Sequence, residues 1–99
     1  MSHTILLEQP QGLNSRTYRD YDNMGKCADY LVKLYERKLR QMNPGVKQLS
    51  YDVSDIYKFL DTYEDIAVLS FQKSTNTYVP HDKKWIKQQI FKHVKHQAS

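Results

Sequence analysis

Histidine and cysteine are the residue types in this chain that could bind a metal ion or attack a substrate. The histidines lie at positions 3, 81, 93 and 96, and the single cysteine is Cys27. Structural zinc sites combine cysteine and histidine ligands at set spacings, whereas His93 and His96 stand three apart near the end of the chain without a cysteine pair. We therefore expect the histidines to be solvated or to cap helices, and we expect no metal site.

Covalent catalysis is not predicted either. Cys27 lies in a stretch with helical apolar spacing, where a thiol behaves as a small hydrophobic group, and no neighbouring histidine could activate it. The sequence also has no phosphate-binding glycine loop, nucleophile elbow or paired-carboxylate motif. We expect a protein without enzymatic activity and without a cofactor.

Length and composition predict one small intracellular domain covering residues 1–99. The eight tyrosines argue against intrinsic disorder. A lone cysteine fits a reducing compartment, the nucleus or the cytoplasm, and no apolar run is long enough to span a membrane. The net charge of +4 is modest, although basic residues cluster at 33–40 and 83–95, so weak contact with RNA or an acidic partner is compatible with it.

Residue spacing predicts the element order ββααββα. Strands are expected near residues 3–9 and 16–21, and a helix capped by Asp22 or Asn23 should run from 24 to 42 and end at Asn43-Pro44-Gly45. A short helix capped by Asp52 or Ser54 follows a connection at 46–51. A hairpin should join 66–72 to 77–79, with Pro80 ending the strand and a last helix placing Trp85, Ile86, Ile90, Phe91 and Val94 inward. The economical architecture is α+β, a four-stranded antiparallel sheet with three helices on one face.

The opening strand carries apolar residues on both faces. Alternation places Ile5 and Leu7 on one side with His3, and Leu6 on the other with Thr4 and Glu8. Periodicity alone does not decide which side faces the chain's own helices. Because so short a chain lacks material for a second covering layer, we expect another molecule, most simply a second copy, to cover the remaining face.

The first helix has an apolar arc wider than one sheet contact requires. Tyr30 and Leu34 flank its main stripe. Two interpretations remain open: these side chains pack under a loop, or they form a groove for a partner segment.

Five segments of the sequence together suggest a family: Ser-His-Thr-Ile-Leu-Leu at 2–7, Arg-Thr-Tyr at 16–18, Met-Asn-Pro at 42–44, Tyr-Asp-Val-Ser at 51–54, and Thr-Tyr-x-Pro-x-x-Lys-x-Trp-Ile-Lys at 77–87. Through them the chain resembles the enhancer of rudimentary homolog family from residue 1 to about 97. Asn23 and Gly25 depart from the familiar pattern, as expected in a specialised paralogue. The resemblance implies a homodimer through the open sheet face, with no known enzymatic activity.

The resemblance also implies a role and a set of sites. Family members act as adaptors that bind short segments of RNA-processing and small-RNA-pathway proteins, with links to gene regulation and the cell cycle. We expect the dimer interface at His3, Ile5, Leu7, Arg16 and Tyr18, and phosphorylation at Thr17, which begins a Thr-x-x-Asp pattern. The alternative function is direct binding of single-stranded RNA by the basic last helix and exposed tyrosines.

Overall fold

The computed structural model describes residues 3–47 and 50–98, except for the side chains at 13 and 96–98. Part of the predicted 46–51 connection and the side chain of His96 therefore lie outside the described residues. The predicted element order is confirmed. The elements are β1 (Thr4–Gln9), a 3₁₀ turn (Leu13–Ser15), β2 (Thr17–Tyr21), α1 (Met24–Met42), α2 (Val53–Asp61), β3 (Asp65–Gln72), β4 (Thr77–His81) and α3 (Lys83–Ala98).

The four strands form one antiparallel sheet in the order β2-β1-β3-β4. Residues directly opposite each other on antiparallel strands share a face, so the register assigns every strand residue to a side. Ile5 lies opposite Asp20 on β2 and Leu69 on β3, and Leu69 in turn lies opposite Pro80 on β4. All three helices cover the other side, on which Leu6 and Val68 are fully buried.

Helix α1 has a defined mechanism at each end. The side chain of Asn23 accepts a hydrogen bond from the backbone N–H of Lys26 at 2.9 Å, which satisfies one of the donors that a helix start leaves free. At the other end the backbone N–H of Asn43 donates to the carbonyl of Leu39, and Gly45 follows with a φ of 91° that favours glycine. Asn23 is thus the N-terminal cap of α1, and it is one of the two candidates, Asp22 and Asn23, that the sequence offered.

The other helices begin at aspartates. Asp52 and Asp55 form a reciprocal capping box at the start of α2. The Asp52 side chain accepts the backbone N–H of Asp55, and the Asp55 side chain accepts the backbone N–H of Asp52. Asp82 accepts from the backbone N–H of Trp85 at 3.0 Å and so caps α3. Asp52 is one of the two caps that the sequence offered for α2.

One cluster of buried side chains joins the three helices to the sheet. It comprises Leu6, Cys27, Ala28, Leu31, Val32, Ile56, Leu60, Tyr63, Ile66, Val68, Ile86 and Ile90. The inward position of Leu6 settles which side of β1 faces the helices. Ile5 and Leu7 therefore lie on the outer side of the sheet.

Two details of the predicted elements were wrong. Phe91 points outward and is 45% exposed, because Ile86 and Ile90 already occupy the inward stripe and a residue one position further lies about 100° around the helix. Pro80 does not end β4, which continues to His81. Since β4 is an edge strand, a residue without an N–H is tolerated within it.

Candidate functional site

The uncovered side of the sheet is the candidate functional site, and we call it the open face. Side chains from all four strands share it: His3, Ile5, Leu7, Tyr18, Asp20, Ala67, Leu69, Phe71, Tyr78 and Pro80. Most of these are apolar or aromatic. None of the three helices packs against it.

Exposure on the open face is high for residues of this type. Tyr18 is 73% exposed, Tyr78 is 41% exposed and Leu7 is 36% exposed, while Ile5 and Phe71 are half-buried by their neighbours on the sheet. Contiguous apolar surface of this kind is uncommon on a monomer and commonly marks a contact with another molecule.

A polar cluster lies at one end of the open face. The ring Nδ1 of His3 is 2.6 Å from the hydroxyl of Tyr78, and its Nε2 is 3.5 Å from a carboxylate oxygen of Asp20. The two rings also meet edge to face, with centroids 5.8 Å apart. His3 therefore contacts side chains from both outer strands, and the open face carries ionisable groups beside its apolar surface.

Arg16 lies at the opposite end, immediately before β2. Its Nε donates to the side-chain carbonyl of Gln9 at 3.1 Å. Together with Leu7 and Asp65 these residues line a depression of about 290 Å³ at the end of the sheet. The structure thus places His3, Ile5, Leu7 and Tyr18 on one face, with Arg16 at its border.

Sequence reasoning missed the part of the open face contributed by the second hairpin. Leu69 and Phe71 continue the apolar surface from Ile5, and Tyr78 lies opposite Phe71 with ring centroids 5.2 Å apart. The sequence pattern could have indicated this, because β3, like β1, has apolar residues on both of its faces.

Tyr30 and Leu34 belong to a different surface, on α1. The hydroxyl of Tyr30 donates to Glu8 at 3.3 Å, its ring lies 5.8 Å from that of Tyr21, and the Arg19 guanidinium sits 5.0 Å above it. Burial raises the pKa of the Tyr30 phenol. Tyr30 lines a shallow depression beside the start of α1, whereas the half-buried Leu34 is not among its lining residues. The structure does not bring the two into one groove.

A buried carboxylate explains why Tyr30 points inward. Glu8 is only 5% exposed, and Tyr63 donates to it at 3.0 Å while the Nε of Arg19 lies 3.4 Å away. A charge at this depth requires such partners. Burial beside Glu8 raises the pKa of Tyr63, so its hydroxyl stays protonated and keeps donating.

Comparison with known proteins shows the family of this chain. A family model for enhancer of rudimentary matches residues 1–99. The chain belongs to the enhancer of rudimentary family. It is 47% identical to protein enhancer of rudimentary from Drosophila virilis over 92% of this chain and 88% of that protein. It is 42% identical to an Arabidopsis thaliana enhancer of rudimentary homolog over 98% and 90%, and 39% identical to one from Caenorhabditis elegans over 93% and 90%.

Thr17 in this enhancer of rudimentary family member lies on the opposite face from Tyr18. It is exposed at the start of β2 and pairs with Glu8 on β1. A phosphate there would project toward the side of Arg19 and not onto the open face. Phosphorylation of Thr17 stays a prediction, and the register gives it no direct contact with the open face.

Burial keeps Cys27, the residue considered as a nucleophile, away from solvent. Cys27 is fully buried, and burial, followed by the nearby charge of Glu8, raises the pKa of its thiol to about 12. Among the residues whose side chains the structure describes, within 3–47 and 50–95, no group of three metal-binding side chains comes together. Over the same residues, no helix has both the length and the apolar character needed to cross a membrane.

Proposed function

We propose that this member of the enhancer of rudimentary family is a non-enzymatic homodimeric adaptor that docks short segments of RNA-processing or small-RNA-pathway proteins. Two copies pair through their open faces. The pairing makes the adaptor bivalent, and two identical docking surfaces raise the effective concentration for a second docking event.

The observation that carries the proposal is the apolar, four-strand open face. Ile5, Leu69 and Phe71 form a continuous half-buried strip, and Leu7 and Tyr18 stand exposed beside it. Complete burial of an aliphatic or aromatic side chain contributes about 1.5–3 kcal/mol. The three residues of the strip are already half-buried, so each of them would contribute roughly half of that. A two-fold axis doubles the total.

The charges on the open face support a second copy as the partner. An isologous interface must be complementary to itself, so that each group meets its match on the other subunit. The face offers a base in His3 and an acid in Asp20, and Arg16 lies at its border. A face with charges of a single sign would repel its copy, whereas this one can pair with it.

The arrangement of basic and aromatic residues favours protein docking over direct RNA binding. Stacking on single-stranded RNA requires exposed aromatic rings beside a basic groove. The exposed tyrosines, Tyr18 and Tyr78, lie on the open face, while α3 packs on the other side of the sheet. Two of its lysines, Lys83 and Lys87, also pair with Asp61.

The proposal is tested by the solution mass of the native chain and of a Leu7→Arg variant, measured by light scattering at matched concentrations. We expect a native dimer and a folded Leu7→Arg monomer, because the dimer would have to bury the added guanidinium in an apolar contact between the two sheets. Phe91→Arg is the matched control: Phe91 is similarly exposed but lies on α3, so this variant should remain a dimer.

Two results would overturn the proposal: a native monomer, or the same loss of dimer in both variants. If Leu7→Arg does not fold, which circular dichroism would show, Tyr18→Glu replaces it, because a side chain 73% exposed does not support the fold of the subunit. Steep, salt-sensitive binding of oligouridylate by the native chain would favour the RNA alternative.

A further inference from the structure

A second apolar surface lies on the helical layer, between α1 and α2. We call it the α1–α2 cleft and define it by the residues that line it: Tyr35, Lys38, Leu39, Met42, Asp55, Lys58, Phe59 and Thr62. It lies on the opposite layer from the open face. Pairing of two sheets would therefore leave it accessible.

The floor of the cleft is aromatic and aliphatic. The rings of Tyr35 and Phe59 meet with centroids 5.5 Å apart, and Leu39 is half-buried beside them. Met42 stands at the end of α1 and is 68% exposed. An unbranched, exposed methionine next to a partly covered aromatic floor is a surface that adapts to apolar side chains.

The size of the cleft indicates the kind of occupant. Its volume is about 230 Å³. Pockets for drug-sized small molecules run to roughly 300–1,000 Å³, so this one is too small and too open for such a ligand. It is large enough for a few side chains that project from one face of a peptide segment.

The charged residues at the rim indicate the sign of the charge that a bound segment should carry. Lys38 and Lys58 stand exposed on the two helices, and neither makes an ion pair with a carboxylate of the described residues. The Nζ of Lys38 lies 5.3 Å from the ring centroid of Phe59. The carboxylate at the rim, Asp55, is already engaged, because it accepts the backbone N–H of Asp52 in the capping box.

We infer that the α1–α2 cleft docks an acidic amphipathic peptide segment of a partner protein. The apolar side chains of the segment rest on Leu39, Met42 and Phe59, and its carboxylates pair with Lys38 and Lys58. This inference rests on the proposed adaptor role, since it names a docking surface and the chemistry of its partner. Exposed ion pairs are individually weak but set the choice of partner when the apolar contact is shared.

The test uses the full-length ¹⁵N-labelled chain and a synthetic 16-residue peptide, with leucines at helical spacing flanked by glutamates. Amide shifts should concentrate at Leu39, Met42 and Phe59. The double variant Lys38→Glu, Lys58→Glu should lower the affinity about tenfold, because two attractions become repulsions. The matched control is Lys84→Glu, Lys92→Glu on α3, which changes the net charge equally and should alter the affinity less than about twofold.

A second peptide with lysines in place of the glutamates sharpens the test. It should bind the native chain weakly and the Lys38→Glu, Lys58→Glu variant more tightly. No binding of the acidic peptide, shifts confined to another surface, or equal losses in the two double variants would overturn the inference.

Light scattering on the same samples separates this inference from the dimer proposal. If the native chain is a dimer and does not bind the acidic peptide, only the cleft assignment is overturned. If the native chain is a monomer and binds the peptide at the cleft, only the homodimer proposal is overturned. A change of mass in the Lys38→Glu, Lys58→Glu variant would assign the cleft to contact between copies and overturn the peptide assignment.

Discussion

Removing one hydroxyl group tests the account of the buried carboxylate. In Tyr63→Phe the ring stays and the donor to Glu8 is lost. Tyr63 and Glu8 are 6% and 5% exposed, and their oxygens are 3.0 Å apart, so water does not replace the missing donor without a local opening. Hydrogen bonds to charged groups contribute about 1.5–3 kcal/mol.

The lower part of that range applies here. Two further groups stay close to Glu8 in the variant, the Tyr30 hydroxyl at 3.3 Å and the Arg19 Nε at 3.4 Å. The carboxylate therefore loses one of its three partners and keeps the other two. We expect the free energy of unfolding to fall by about 2 kcal/mol. For a domain of this size that corresponds to a midpoint roughly 8–16 °C lower.

The assay is thermal and urea unfolding followed by circular dichroism at one fixed protein concentration, because any self-association makes the midpoint depend on concentration. Tyr57→Phe is the matched control. Its hydroxyl makes no hydrogen bond to the described residues, and its ring lies 5.7 Å from the Lys87 ammonium, so the change should stay within about 0.5 kcal/mol. Equal losses in the two variants would refute the assigned role of Glu8.

Two further predictions concern pH and the helical layer. Burial raises the pKa of Tyr21 from 10.0 to about 12, so the folded chain keeps a proton that the unfolded chain releases. The contribution of Tyr21 to stability should hold below pH 10 and fall between pH 10 and 12, as urea midpoints would show, and Tyr21→Phe should reduce the slope in this range; a native slope of zero there would contradict this. At adjacent positions on α3, Ile90→Ala should lower the free energy of unfolding, measured with urea, by about 2–5 kcal/mol, and Phe91→Ala should lower it by less than about 1 kcal/mol. A larger loss for Phe91→Ala than for Ile90→Ala would contradict the inward position of Ile90.

Local chemistry explains most of what could be predicted from the sequence. The stop at Asn43-Pro44-Gly45 and the starts of the helices depend on side chains within a few residues of the backbone groups they satisfy. The same holds for the hairpin turn, where Asn76 takes the left-handed φ of 55° that asparagine tolerates. Such local patterns can be recognised in the sequence without knowledge of the tertiary structure.

Long-range partners explain what could not be predicted. A strand pattern repeats every two residues, and it does not say which face is inner when both are apolar. In β1 the inner face holds one leucine, Leu6, beside Glu8, and burial of that carboxylate depends on Tyr63, 55 positions away in sequence. The edge position of Pro80 likewise depends on the strand order of the finished sheet.

The position of Pro80 on the outer strand also bears on how large an assembly of this protein can grow. Sheets that join edge to edge present a fresh edge after each addition, and growth continues into fibres. Here β4 carries at Pro80 a residue with no N–H to offer an incoming strand. Under the proposed pairing, the adhesive surface is a face and not an edge, and one encounter uses all of it. Under that pairing, assembly through the open face is self-limiting, because two copies cover each other's faces and neither face is left for a third.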